Sequence, residues 1–247
     1  MERAEGRGVD RVPAWTREGS PAARLGCLAE AELVDPGAKA APSAFGHARR
    51  TRGTEKNIAE TVAAAAAQHP DKPVEVWATD EHRLGLKPVL RRVWAPVGER
   101  PIALGHHRYQ WLHLTAFVEP TGGETVWYLS TGISKPFFEA LLAKFAEETG
   151  AGLSRIIVLV LDNAGWHGPA NLSVPEGIKL VFLPPYSPEL QPAECLWPLV
   201  DEPIVNKYFE TLAELDQAVA ERCRRLDNAA IKAKTAFSWW PKPTRPN

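Results

Sequence analysis

Three acidic side chains stand where metal-assisted chemistry could be done. Asp80 follows an apolar segment in Thr79-Asp80-Glu81, Asp162 ends the most hydrophobic run in Leu161-Asp162-Asn163, and Glu194 follows a proline turn in Gln191-Pro192-Ala193-Glu194. Central parallel strands bring their C-terminal ends to one edge of a sheet, where ligands bind. If the strands before Asp80 and Asp162 are neighbours, the two carboxylates lie side by side and repel, and a divalent cation relieves the repulsion. Hard oxygen ligands suit magnesium or manganese. Two such ions can activate a water or hydroxyl and stabilise the leaving oxygen of an in-line phosphoryl transfer. For each acid alone the alternative is a helix N-cap or a solvated turn carboxylate. Spacing alone leaves both open.

The elements that must hold these residues are legible from period and punctuation. Residues 55–68 are Ala-rich with high helix propensity and stop before Pro70. Residues 74–79 read as a first strand, and 89–95 as a second, in a small hairpin closed by Gly98 and Pro101. Residues 111–118 and 124–130 flank Gly122-Gly123, an antiparallel hairpin signal. A helix follows, with Ser134 as N-cap, Pro136 in its first turn and Gly150 past its end. Its apolar face is Phe137, Phe138, Leu141, Leu142 and Phe145. Residues 156–161 (IIVLVL) form a continuous apolar run of the kind buried on both faces of a sheet, and 178–183 are another short strand. Thr211-Leu212-Ala213-Glu214 is a capping box that opens the last clear helix, with Leu212, Leu215, Val219 and Leu226 as its stripe. This order implies an α/β fold: a mixed, ribonuclease-H-like sheet, antiparallel at first and parallel later, flanked by helices.

Longer motifs surround the acids. The stretch from Leu161-Asp162-Asn163-Ala164-Gly165-Trp166-His167 and the stretch Leu183-Pro184-Pro185-Tyr186-Ser187-Pro188-Glu189-Leu190-Gln191-Pro192-Ala193-Glu194 resemble the catalytic core of DDE transposases. The match is to the insertion sequence 630 family, the bacterial branch of the mariner-like superfamily. Thr79-Asp80-Glu81-His82-Arg83-Leu84-Gly85 is similar to that family's first acidic motif, Val93-Trp94-Ala95-Pro96-Val97-Gly98 to its following hairpin, and Ala236-Phe237-Ser238-Trp239-Trp240-Pro241 to an ending of some members. The resemblance covers residues 55–241. It implies that Asp80, Asp162 and Glu194 are a catalytic, metal-binding triad for Mg2+ or Mn2+, with two ions. It also implies hydrolysis at transposon ends followed by attack of a 3′-hydroxyl on target DNA.

The chain departs from the family pattern in four places. Only 31 residues separate Asp162 from Glu194, fewer than is usual. Gln191 stands where Asn is usual, and Pro198 and Pro203 interrupt the helix that should carry Glu194. No helix-turn-helix is recognisable in residues 1–53, which mix Gly, Pro, Ala and Arg without period. The expected organisation is therefore a poorly ordered or atypical leader at 1–53, a catalytic domain at 54–241 and a tail at 242–247.

Supporting residues have two readings each. His167 and Asn163 either orient a water, a phosphate or the neighbouring carboxylate, or make local structural hydrogen bonds. Trp166 reads as core rather than base-stacking. Between His82 and His113 stand Arg83, Lys87, Arg91, Arg92, Arg100 and Arg108 against the single acid Glu99. A basic strip near a metal site suits a phosphodiester substrate; the bland reading is a solvated hairpin. His106-His107 has no partner at zinc-ligand spacing.

Composition bounds the rest. The 247 residues are 45% hydrophobic and 24% charged with a net charge of −1, values of an ordinary globular protein with no global basic field. No segment approaches the roughly 20 apolar residues of a membrane span. The first residues lack the apolar core of a secretion signal, and Cys27, Cys195 and Cys223 form no disulfide framework. The expected location is the cytoplasm, the expected partner double-stranded DNA at transposon ends and target, with a homodimer left open. Two rival readings stand beside the transposase: an inactive remnant or DNA-binding protein on the same fold, and a metal-dependent nuclease acting on RNA–DNA hybrids.

Overall fold

The apolar alternation of the strands sorts the core into two layers, one on each face of a single sheet. In a computed structural model, which describes residues 44–97, 102, 104–105, 108–167 and 172–244, five strands take the order β3-β2-β1-β4-β5. They are β1 (Val74–Gly85), β2 (Trp111–Glu119), β3 (Glu124–Ser130), β4 (Ile156–Leu161) and β5 (Ile178–Phe182). The β1–β2 and β2–β3 pairs are antiparallel, and the β1–β4 and β4–β5 pairs are parallel. This is the mixed, ribonuclease-H-like sheet expected from the order of elements. Of the sequence features, residues 1–43, Gly98, Arg100, Pro101, His106, His107 and residues 245–247 lie outside the described residues.

Period-2 geometry puts Val76, Ala78, Leu114, Ala116, Val158 and Val160 on one face. Trp77, Phe117, Ile157, Leu159 and Leu161 lie on the other. Helix α2 (Lys135–Thr149) covers the second face through Phe138, Leu142, Phe145 and Ala146, while Phe137 is only half-buried. Phe145 stacks on Phe117 at 4.1 Å between centroids and meets Trp77 edge-on at 5.2 Å. Ser134 holds the extended N-cap conformation, and Gly150, at φ 71°, ends the helix. The first face is covered by α1 (Ala44–Gln68), through Ile58, Val62 and Ala65, and by α4 (Leu212–Arg225), through Leu215, Val219 and Cys223. Thr211 caps α4 by accepting from the Glu214 amide, and Leu226, expected at the end of its stripe, is instead the extended C-cap.

Four elements differ from expectation. Strand β1, expected to end at Thr79 with Asp80 beyond it, runs on to Gly85 because β2 pairs with it from Ala116 back to Trp111. Helix α1 begins at Ala44 rather than near Thr54, running through Gly53, whose surroundings are open; a helical glycine costs about 1 kcal/mol, which a 25-residue helix absorbs. Residues 89–95 form no strand. Their alternation finds no ladder partner: Leu90, Val93 and Trp94 are exposed, and the backbone of Arg91 bonds the side chain of Asn206 instead. A fifth helix, α5 (Asn228–Thr235), follows Asp227, whose carboxylate accepts from the Ala230 amide.

The Gly122-Gly123 hairpin is as expected. Gly123 has φ 83°, and a Cβ there would strike the backbone of Asn228 at the start of α5. Near the C-terminus, Trp240 donates its indole N–H to the Val76 carbonyl and Thr244 exchanges hydrogen bonds with Val74, closing the chain onto β1.

Candidate functional site

Strand register decides where the acids meet. The parallel pairing of β1 with β4 sets Ala78 opposite Val160; two residues further on come Asp80, still within β1, and Asp162, one residue past the end of β4. Adjacent strands lie about 4.8 Å apart, so the register makes the two aspartates neighbours where β4 ends and β1 runs on beside β2. Glu194 arrives on a 3-10 helix, Pro192–Leu196, which runs into α3 (Trp197–Asp201). Pro198 sits in the first turn of α3, where a missing N–H costs nothing, so the prolines divide the expected Glu194 helix into two short ones.

Asp80, Asp162 and Glu194 line one concavity of about 120 Å³, together with Gln191, Ser187 and Tyr186. Larger hollows exist elsewhere on the protein; chemistry, not size, distinguishes this one. Asp80 is deeply set, and the indole N–H of Trp197 donates to its Oδ2 at 3.2 Å. Burial, followed by the negative charges of Glu194 and Glu81, pushes its carboxyl up to about 8. Asp162 moves the other way: a hydrogen bond from His167 holds it below its ordinary value, against burial. Its Oδ1 accepts from His167 Nδ1 at 2.8 Å and from the Ala164 amide at 3.0 Å.

His167 is fully buried, and its ring packs on Phe138 of α2 at 4.3 Å. Its second nitrogen, Nε2, faces Glu81 Oε1 at 3.0 Å. Burial alone would pull the imidazole down; the hydrogen bonds to Asp162 and Glu81 outweigh it and hold it at about 9. Glu81 also accepts from Trp166 Nε1 at 3.3 Å, and Trp166 is half-buried. Asn163 donates to the Leu183 carbonyl at 2.6 Å, tying the end of β4 to the proline turn after β5.

Neither Glu81 nor Trp197 stands out in the sequence as a site residue. The one signal for Glu81 is its place directly after Asp80 in a strand, which sends its side chain to the opposite face.

The wall of the concavity also holds a buried acceptor without a hydrogen-bond partner, Gln191 Oε1; the amide's Nε2 donates to the Thr79 carbonyl at 2.9 Å. Carboxylate and amide oxygens, one of them without a partner, are the donor type that a hard divalent cation takes. Among the described residues no three His, Cys, Asp or Glu side chains converge to metal-holding distance, so the acids share a cavity without forming a finished cage.

The basic residues spread out along the chain. Arg83, on β1, lies over the Trp111 ring at 4.0 Å, and Lys87, Arg91, Arg92 and Arg108 are exposed in the long connection to β2. Among the described residues no helix is long and apolar enough to cross a membrane.

Comparison with known proteins bears on these features together. The chain is similar, at 45% identity over 67 residues, to the uncharacterized protein y4pE/y4sA of Sinorhizobium fredii; the match covers 27% of this chain and 47% of that one. Its fold is similar to those of the Mos1 strand transfer complex (TM-score 0.52, 12% identity, 83% of this chain and 62% of that one) and of a pre-cleavage Mos1 transpososome (TM-score 0.53, 10% identity, 83% and 63%). The chain thus spans less than two thirds of the Mos1 protein and about half of the bacterial relative. The family model described as DDE superfamily endonuclease matches residues 75–216, a span that contains Asp80, Asp162 and Glu194. The chain belongs to the DDE superfamily endonucleases.

Proposed function

We propose that this chain is a transposase catalytic domain that cuts DNA strands at transposon ends and joins them to target DNA, with Asp80, Asp162 and Glu194 as its catalytic and metal-holding residues. One observation carries the reading: three carboxylates from three separate elements line one concavity, and burial together with their mutual repulsion holds Asp80 up at about 8. A protein keeps such an arrangement at a cost in stability, which a bound cation offsets. Mg2+ or Mn2+, in two ions, would supply a polarised water or hydroxyl and stabilisation of the departing oxygen.

The chain's own groups do the positioning. Trp197 fixes one oxygen of Asp80, His167 and the Ala164 amide fix one oxygen of Asp162, and Asn163 steadies the turn between them. Arg83, Lys87, Arg91, Arg92, Arg100 and Arg108 are proposed to hold the phosphate backbone of double-stranded DNA. A homodimer would let two copies act on paired ends; Mos1 neighbours include paired-end complexes, one with Mn and one with Mg. A cytoplasmic location and the division into a leader at 1–53, a catalytic domain at 54–241 and a tail at 242–247 belong to the same proposal.

The second reading, an inactive remnant on the same fold, is favoured by the acids' lack of convergence. Nicking of supercoiled plasmid in Mn2+ decides between them, with Asp162→Asn alongside. Nicking by the parent alone supports the active enzyme. No nicking by a folded parent, with or without inverted-repeat DNA, overturns it.

A further inference from the structure

The two faces of the sheet treat Asp162 differently. Asp80 and Glu194 approach from the face of α3, whereas His167, Glu81 and Trp166 stand on the face covered by α2. Asp80 and Glu81 are consecutive in β1, and strand alternation alone sends them to opposite sides. The Glu81 side chain is only 6% exposed and His167 is fully buried, so their contact is shielded from bulk solvent. Both imidazole nitrogens face carboxylate oxygens, and Phe138 lies against the ring at 4.3 Å, tilted by 52°.

The consequence falls on the individual oxygens of Asp162. Oδ1 already accepts two hydrogen bonds, from His167 Nδ1 and the Ala164 amide, while Oδ2 has none of these donors. A carboxylate held this way offers a cation one oxygen. Magnesium and manganese accept that: they bind carboxylates through single oxygens in tight octahedra. Calcium takes more ligands, at longer distances, and readily uses both oxygens of one carboxylate.

We propose that Glu81 and His167 are positioning residues that set cation choice: Glu81 braces His167, His167 occupies Oδ1 of Asp162, and the site thereby accepts Mg2+ or Mn2+ and disfavours Ca2+. This rests on the reading of Asp162 as a metal ligand and goes beyond it, assigning selectivity to a buried pair that does not touch the cation.

The test is binding, read without turnover. Free Mn2+ is followed by electron paramagnetic resonance during titration of the full chain, then displaced with Ca2+, and Asp162→Asn serves as the blank. Replacing an outer partner of a metal ligand commonly costs 10–100-fold in affinity. In His167→Leu, Mn2+ affinity should fall about tenfold while Ca2+ is held at least as well as before, moving the Ca2+:Mn2+ preference about tenfold toward Ca2+. Glu81→Gln keeps the shape, removes the brace's charge and should move the preference the same way by about threefold; it carries the test if His167→Leu does not fold. A merely structural role would weaken both ions alike. Mn2+ bound by the parent with an unchanged preference in the folded variants overturns the inference and leaves the functional reading standing. A parent that binds no Mn2+ overturns both.

Discussion

The indole N–H of Trp197 donates to Oδ2 of Asp80 at 3.2 Å, linking residues 117 positions apart in sequence. Trp197 is the first residue of α3 and follows directly on the 3-10 helix that carries Glu194, so this bond ties the third acid's support to the first acid. The same indole stacks on His82 at 4.9 Å, and His82 in turn meets Asp201 at the far end of α3 at 2.8 Å.

Trp197→Phe keeps an aromatic ring and deletes the donor. A lost hydrogen bond costs about 0.5–1.5 kcal/mol net, and Asp80 loses its anchor. Strand cleavage should drop by about tenfold while far-ultraviolet circular dichroism is unchanged. Unaltered cleavage would show that Asp80 needs no such fixing.

Stability should fall as pH rises in metal-free buffer. For Asp80 the folded value, about 8, lies above the ordinary 3.8, so its uncharged form is favoured in the fold; the benefit is complete below 3.8 and is lost as pH passes 8. His167, raised from 6.5 to about 9, contributes in the same sense, fully below 6.5 and lost through 9. Asp80→Asn should therefore unfold at higher temperature than the parent at pH 8 in chelator, by about 2–4 °C per kcal/mol relieved, and match it near pH 4. Adding Mn2+ should narrow the gap at pH 8. Calorimetry across this range checks both.

Charge reversal in the β1–β2 connection tests the DNA surface. Arg91→Glu with Arg92→Glu should weaken binding to duplex DNA and flatten its dependence on salt, by about 0.9 in log–log slope for each phosphate no longer neutralised. Fluorescence anisotropy at several salt concentrations measures this. Unchanged binding removes these arginines from the interface.

Tyr186 offers a separation of stability from activity. It lines the acid cavity, is 92% exposed and holds φ 56°, a left-handed conformation that costs a side-chain-bearing residue about 1–2 kcal/mol. Tyr186→Gly should relieve that strain and raise the denaturant midpoint, yet cleave DNA more slowly because the exposed ring at the cavity mouth is gone. A variant that is more stable and equally active would reduce the ring to an accident of the turn.

Most of the sheet was legible because its signals are local. The run 156–161 is apolar at every position, the pattern of a strand buried on both faces, and Gly122-Gly123 signalled a turn between alternating segments. The second half of β1 was not legible. Asp80 through Gly85 is mostly polar and charged, and it is a strand because β2 supplies a ladder from Ala116 back to Trp111. Residues 89–95 show the converse, an alternating pattern left without a partner. Hydrogen-bond partners many residues away decide such segments, and no local period reports them.

For the site, the sequence by itself determined which residues carry charge, where the apolar run before Asp162 ends and which motifs surround the acids, and hence that Asp80, Asp162 and Glu194 were the acids to watch. Their meeting depended on the parallel register of β1 with β4, and their unequal character on burial and neighbours: Asp80 pushed up by desolvation and nearby acids, Asp162 held down by His167. Glu81 belongs wholly to the tertiary structure. It is one residue from Asp80 in the chain and on the other side of the sheet in space, and its partners, Trp166 and His167 backed by Phe138 of α2, come from the segment after β4. Side-chain type is written in sequence, whereas the electrostatic field at a side chain is a sum over groups that only folding brings within a few ångströms.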